Sequence, residues 1–109
     1  MFEEPFENNE EINEIVNIIL SSIPVKEIYI FGSYANGTAG ENSDYDFYVV
    51  IPDNSFRARE ATWKIREGLV GKQKRGIDML VGTQSKFNNN KNTYSIENEV
   101  AKTGVKLYG

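Results

Sequence analysis

The sequence predicts one small α/β domain, a β-sheet with helices packed mainly on one face. Apolar residues recur at helical spacing in some segments, while others are short runs rich in β-branched and aromatic residues, and the two kinds alternate along the chain. The 109 residues suffice for one hydrophobic core and leave little room for a second. We therefore expect a single domain over residues 1–109, with 1–8 as a flexible N-terminal extension.

The first half of the chain predicts a helix followed by two strands. Isoleucine, valine and leucine at helical spacing, preceded by asparagines of the capping type, predict a helix over about residues 9–22. Val25–Phe31 has the composition of a strand. Residues 32–43 contain three glycines and predict a loop, with one helical turn after Ser33. Asp44–Ile51 predicts the second strand.

The middle of the chain predicts a helix and a third strand. Ser55 is a plausible N-cap for a helix over about residues 56–70, and Gly71 follows its end. Ile77–Val81 is an apolar run that predicts a short, buried strand.

The C-terminal part predicts a loop, a last helix and an edge strand. The polar, asparagine-rich segment 83–92 predicts a loop with at most one turn of helix. A helix is expected over about residues 93–102, and Gly104 is well placed as its C-cap. Val105–Tyr108 would return as an edge strand.

The residue types present restrict the chemistry to carboxylates. The chain has neither cysteine nor histidine, which excludes disulfides, thiolate sites and imidazole bases. Any metal chemistry must then use carboxylate oxygens, which favour hard cations such as Mg²⁺ or Mn²⁺.

Charge and hydropathy indicate a cytoplasmic protein without membrane contact. The N-terminus is acidic and lacks the layout of a signal peptide, and no apolar stretch approaches the length of a membrane span. The net charge of −4 argues against nucleic acid as a template or general ligand, because phosphate binding requires a basic surface.

Aspartates lie unexpectedly inside strand-like runs. The chain has 12 Glu and only four Asp, and Asp is depleted in strands. Asp44 and Asp46 lie two apart, so they would project from one face of their strand, about 7 Å apart along the backbone, and could converge on one or two cations. The alternative is a pair of ordinary surface aspartates.

Asp78 lies within the third apolar run, between Ile77 and Met79. A buried carboxylate needs a partner, because an unpaired one would rather be protonated. If its strand pairs beside that of Asp44, Asp78 completes a cluster of three carboxylates. The alternative is an edge position at which Asp78 reaches water.

Gly32 and Ser33 follow the first strand and supply complementary chemistry. A glycine at this point lets a phosphate approach the backbone, and free N–H groups with the Ser33 hydroxyl can donate to its oxygens. A Gly-Ser pair alone is weak, because most mark plain turns. The combination with the three aspartates is more specific.

These motifs resemble the minimal nucleotidyltransferases of the DNA polymerase beta superfamily, of the kind found beside HEPN-type proteins in prokaryotes. The resemblance runs from about residue 10 to the C-terminus and rests on Gly32–Ala39, Ser43–Phe47 and Asp78. It implies the nucleotidyltransferase fold, with a small mixed sheet. It also implies Mg²⁺-dependent transfer of a nucleoside monophosphate, AMP from ATP foremost, to an acceptor hydroxyl that could lie on a HEPN-type toxin.

The resemblance also implies roles for five residues. Gly32 and Ser33 would hold the phosphates, Asp44 and Asp46 would bind Mg²⁺, and Asp78 would bind a second ion and favour deprotonation of the acceptor. Two Mg²⁺ ions are expected, with Mn²⁺ as an alternative. All three aspartates would be both catalytic and metal ligands.

The chain departs from the pattern where many relatives have arginine, at Asn36 and often at Tyr34. A replacement cation could come from residues 57–75, which hold seven of the 12 basic residues, although these could equally form a solvated helix face. An alternative function stays open: a non-catalytic or weakly catalytic antitoxin that neutralises a partner by binding it. Homo-oligomer formation also stays open.

Overall fold

A four-stranded mixed sheet forms the centre of the molecule. The computed structural model describes residues 9–40, 43–72 and 76–109. The strands are β1 (Glu27–Phe31), β2 (Tyr45–Ile51), β3 (Ile77–Thr83) and β4 (Val105–Tyr108). In the order β3-β2-β1-β4, β1 is antiparallel to β2 and β4, whereas β2 and β3 are parallel. The fold class and the edge position of the last strand are as the sequence predicts.

Five helices surround this sheet within the described ranges. They are α1 (Glu10–Ser22), α2 (Ser33–Asn36), α3 (Ala58–Leu69), α4 (Gln84–Asn90) and α5 (Ile96–Thr103). The two longest, α1 and α3, pack together on one face of the sheet, and the Asn9 side chain caps α1 by accepting from the backbone N–H of Ile12 at 3.0 Å. None of these helices combines the length and apolarity that crossing a membrane requires.

The main core lies between the sheet and the pair α1 and α3. Alternate residues of the strands point into it, as the period of two requires. Its buried strand members are Ile28, Ile30, Tyr45, Phe47, Val49, Ile51, Ile77, Met79 and Leu107. Because these positions face one side, their neighbours in β2 and β3 must face the other.

The opposite face of the sheet is only partly covered, by α4 and α5. Phe87 of α4 and Val100 of α5 pack there against Tyr29, Phe31 and Tyr48. The buried carboxylate of Glu97 accepts a hydrogen bond from the Tyr48 hydroxyl at 2.8 Å. These contacts leave one end of this face, where β2 and β3 begin, open to solvent.

Three predicted details differ from the structure. Helix α3 begins at Ala58 with Arg57 as its N-cap, because the Ser55 hydroxyl instead donates to the carbonyl of Pro52 and stabilises the preceding turn. Segment 83–92 contains the seven-residue helix α4, capped by the Thr83 side chain. Helix α5 begins later than predicted, at Ile96, because Ser95 caps it.

Gly104 lies at the predicted C-cap of α5 but for a different reason. Its φ of −73° is open to any residue, so left-handed backbone is not what requires glycine. A Cβ there would collide with the carbonyl oxygen of Val100 and crowd that of Ile30. The glycine therefore allows α5 to turn closely against β1.

Candidate active site

Asp46 and Asp78 lie side by side on the open face of the sheet. They are directly opposite each other in the parallel register of β2 and β3. Since Tyr45 and Phe47 point into the main core, Asp46 must point away from it. The structure thus places Asp78 beside Asp46, as the sequence analysis required for a cluster.

The prediction that Asp78 lies in a buried strand is wrong. β3 is an edge strand with alternating burial, and Asp78 is exposed. Both alternatives therefore hold at once, because an edge position gives Asp78 access to water and the pairing of its strand gives it Asp46 as a neighbour.

Asp46 is electrostatically strained by its surroundings. Burial raises the pKa of Asp46 to about 6, helped by a hydrogen bond with Asp78 and by the charge of Asp78. The charges of Asp44 and Glu99 raise it further. A carboxyl group that shares a proton with a neighbouring carboxylate is a site at which a cation can replace that proton.

Asp44 precedes β2 and is exposed, on the same side of the chain as Asp46. Its carboxylate lies over Gly76, where a Cβ would collide with it, whereas the carboxylate of Asp46 lies over Gly32. The two side chains therefore lean toward opposite neighbouring strands. Convergence on one point, as the spacing predicts, requires the Asp44 side chain to turn.

The Gly32–Ser33 turn lies next to Asp46. Phe31, the last residue of β1, pairs with Asp46, and Gly32 follows with φ 71° and ψ −145° as the N-cap of α2. Glycine is required at position 32 for two reasons. This backbone region is open almost only to glycine, and Asp46 occupies the space that a Cβ would fill. The first N–H groups of a helix lack internal acceptors, so the start of α2 presents donors beside the carboxylates.

The two positions that depart from the arginine pattern have different surroundings. The ring of Tyr34 packs on Tyr45, with 4.6 Å between ring centroids, and lies against the main core. Asn36 is exposed at the end of α2. Tyr34 therefore has a packing role, and Asn36 is the position that leaves room for another residue or ligand.

As the side chains stand, no group of three or more carboxylates in the described ranges is close enough to hold one metal ion. The pair Asp46 and Asp78 nevertheless fits a hard divalent cation in its chemistry, because strand register places the two carboxylates side by side and their mutual repulsion helps to raise the pKa of Asp46. The fit is therefore that of a two-carboxylate site to which Asp44 is adjacent.

Sequence reasoning did not single out Glu99 as part of the site. It lies on α5, far from the motifs along the chain, yet its charge contributes to the raised pKa of Asp46. The anchoring of α5 by the bond between Tyr48 and Glu97 sets its position. No spacing in the sequence could indicate this approach, because it depends on how α5 packs on the sheet.

The basic residues of segment 57–72 do not reach the carboxylates. They belong to α3 and its ends, and α3 packs on the face of the sheet opposite to Asp46 and Asp78. The replacement cation considered for Asn36 therefore does not come from α3, and the solvated helix face is the correct interpretation there. Lys74 and Arg75 lie outside the described residues.

Comparison with known proteins identifies the family. The model of the nucleotidyltransferase domain matches residues 12–103, which is most of the chain. This chain belongs to the nucleotidyltransferase domain family. The matched range includes both the Gly32–Ser33 turn and the three aspartates, so the family match covers the whole candidate site.

A curated relative agrees with this assignment. The protein adenylyltransferase MntA of Shewanella oneidensis is 32% identical over 69 residues, which cover 62% of this chain and 48% of that protein. This chain thus spans about half the length of this curated relative.

Solved structures share the fold. A crystal structure of a toxin–antitoxin with AMP-PNP matches with a TM-score of 0.66 and 25% identity, over 92% of this chain and 73% of that one. A mutant form of the toxin–antitoxin MntA–HpeT matches with a TM-score of 0.63 and 23% identity, over 89% of this chain and 72% of that one.

Proposed function

We propose that this protein transfers a nucleoside monophosphate, AMP from ATP foremost, to an acceptor hydroxyl in a reaction that depends on Mg²⁺. The observation that carries the proposal is the pairing of Asp46 with Asp78 beside the Gly32–Ser33 turn, on the open face of the sheet. The family assignment and the similarity to an adenylyltransferase support it.

The residues of the chain act mainly by positioning and by charge. Gly32 lets the triphosphate approach the backbone, and the Ser33 hydroxyl and nearby N–H groups donate to its oxygens. Asp46 and Asp78 would hold the cations, whose positive charge would offset the mutual repulsion of the two carboxylates. Asp44 would join them once its side chain turns away from Gly76.

Two Mg²⁺ ions, for which Mn²⁺ can substitute, would supply neutralisation of the triphosphate charge and activation of the acceptor hydroxyl when bound. Asp78 lies on the edge strand and is exposed, whereas Asp46 is only partly exposed, so an incoming acceptor can reach Asp78 from solvent. We propose that this acceptor lies on a HEPN-type protein partner, in keeping with the toxin–antitoxin complexes among the similar structures.

Titration calorimetry of ATP into the protein, with and without Mg²⁺, tests the site. We expect binding that requires the metal and that is lost in Asp46→Asn and in Asp78→Asn. Asp53→Asn is the matched control: it changes the fourth aspartate, which is exposed and bonds to Ser85 at the start of α4. Binding that needs no metal, or that survives both site variants, would contradict the proposal.

A second function, neutralisation of a partner by binding alone, is favoured by one observation. The three aspartates as they stand do not form a group able to hold one ion within the described ranges. Co-expression with a HEPN-type partner protein separates the two functions. If the Asp44→Asn, Asp46→Asn double variant still neutralises this partner, binding suffices; if the complex persists while neutralisation is lost, the chemistry is required.

A further inference from the structure

Helix α3 presents an apolar stripe to solvent on the side of the molecule away from the carboxylates. The Trp63 side chain is 64% exposed and that of Val70 is 77% exposed, whereas Ala61, Ile65 and Leu69 face the core. Val70 is the C-cap residue that directly follows α3, seven residues after Trp63; since residues seven apart differ by only about 20° around a helix, the two side chains form one stripe that reaches just past the end of α3. A tryptophan left mostly in water on a helix whose opposite side is fully packed marks a contact surface.

Charged residues flank this stripe in two rows of opposite sign. Arg59 and Arg66 are seven apart and lie on one flank of Trp63, whereas Glu60 and Glu67 are seven apart and lie on the other. Across the part of the chain that the structure describes, no ion pair within the molecule engages Arg59, Arg66 or Glu67. The surface therefore offers an arginine row and a glutamate row to an outside partner.

We propose that this surface binds a second copy of the chain, with the two α3 helices parallel about a two-fold axis. In that arrangement the arginine row of one copy faces the glutamate row of the other, so that Arg59 meets Glu60 of the partner subunit and Arg66 meets Glu67 of the partner subunit. The two tryptophans meet at the centre. An antiparallel pair would instead place arginines against arginines and glutamates against glutamates.

The dimer has two physical consequences. α3 has 12 residues and is about 18 Å long, so the contact falls below the roughly 1,200 Å² of a stable complex. We therefore expect a weak dimer whose population depends on concentration, with Trp63 dominating the binding free energy. Because α3 and the carboxylates lie on opposite faces of the sheet, both candidate active sites stay open in the dimer.

Sedimentation over a wide range of protein concentration tests the contact. We expect the wild-type protein to pass from monomer to dimer and Trp63→Asp to stay a monomer at every concentration. Tyr94→Asp is the matched control, because Tyr94 is a fully exposed aromatic residue outside α3, and it should dimerise as the wild type does. A wild-type protein that stays monomeric, or a dimer that survives Trp63→Asp, overturns the proposal.

The orientation is tested by crosslinking, which the absence of native cysteine makes clean. In the parallel pair the two Val70 residues meet, so Val70→Cys should form an oxidised dimer and Tyr94→Cys should not. In an antiparallel pair they would lie at opposite ends, and failure of Val70→Cys to crosslink overturns the parallel arrangement.

Charge exchange tests the rows themselves. The double variants Arg59→Glu, Arg66→Glu and Glu60→Arg, Glu67→Arg should each be monomeric alone and should associate when mixed. Calorimetry of ATP on Trp63→Asp keeps this proposal separate from the proposed function, because loss of dimer formation should leave nucleotide binding unchanged.

Discussion

At the scale of single residues, Asp46 is where stability and function conflict. Its pKa of about 6 exceeds the ordinary value of 3.8, because burial and the hydrogen bond and charge of Asp78 disfavour the ionised form. The folded state therefore holds this proton more tightly than the unfolded state does. The contribution of Asp46 to stability is complete below about pH 4 and is lost as the pH rises through about 6.

We therefore expect Asp46→Asn to stabilise the metal-free protein at neutral pH while abolishing metal-dependent ATP binding. Since Asp46 is partly exposed, solvent screening reduces the gain to about 1 kcal/mol. Urea unfolding at pH 4 and pH 7 measures it, and the difference between variant and wild type should grow with pH. An equal difference at both pH values would falsify this assignment of the strain.

Gly32 illustrates a backbone requirement at the same scale. We expect Gly32→Ala to lower the free energy of unfolding. The strained backbone alone should cost about 1–3 kcal/mol, and the collision of the new Cβ with Asp46 should add to this cost. Gly37→Ala is the control: its φ is also positive, at 76°, but the space around it is open. Thermal unfolding of both variants should rank Gly32→Ala well below Gly37→Ala.

At the scale of elements, the bond between Tyr48 and Glu97 fixes α5 to β2. Glu97 is buried, and burial with the bond to Glu97 raises the pKa of the Tyr48 hydroxyl above its usual value. The Tyr48 hydroxyl therefore keeps its proton, and donates to Glu97, at neutral pH. Together with the packing of Val100, this bond holds α5, and with it Glu99, against the sheet.

We expect Tyr48→Phe to destabilise the protein by about 1–3 kcal/mol, because it leaves the Glu97 carboxylate buried without this donor. Tyr94→Phe removes a hydroxyl from an exposed ring and serves as the control. Denaturant unfolding distinguishes the two. A change for Tyr48→Phe as small as that for Tyr94→Phe would mean that Glu97 finds another donor or becomes protonated.

At the scale of the whole molecule, the two faces of the sheet have separate tasks. One is filled by α1 and α3 and supplies most of the buried apolar surface, whereas the other is only partly covered and exposes the carboxylates. Ligand binding on the open face should stabilise the whole fold through linkage, since the unfolded chain has no site.

Saturation with Mg²⁺ and a non-hydrolysable ATP analogue should therefore raise the melting temperature, on the order of 10 °C at a ligand concentration of about 100 Kd. Asp78→Asn should show no such rise, whereas Asp53→Asn should show it in full. Scanning calorimetry with and without the ligands measures the shift. A rise in Asp78→Asn equal to that of the wild type would show that the ligands bind elsewhere.

Much of this molecule could be predicted from local patterns. Alternation of apolar residues in β2 determines that Tyr45 and Phe47 share a face and that Asp46 lies on the other, because successive side chains of a strand point to opposite sides. The first residues of the helices were harder to predict, because several residues near a helix start can act as its N-cap. Ser55, the predicted N-cap of α3, instead bonds to Pro52, whereas Ser95, for which no capping role was predicted, caps α5.

The sequence by itself determined the order of the four strands and of helices α1, α3 and α5, the Gly32–Ser33 turn and the separation of Asp44 and Asp46 from the core, since these depend on local periodicity and backbone freedom. Only the tertiary structure decided that Asp78 lies opposite Asp46, that Asp44 leans toward Gly76, and that Glu99 adds its charge. The physical reason is that strand register and helix packing join residues far apart in the chain, and their electrostatic coupling exists only after those distances are fixed.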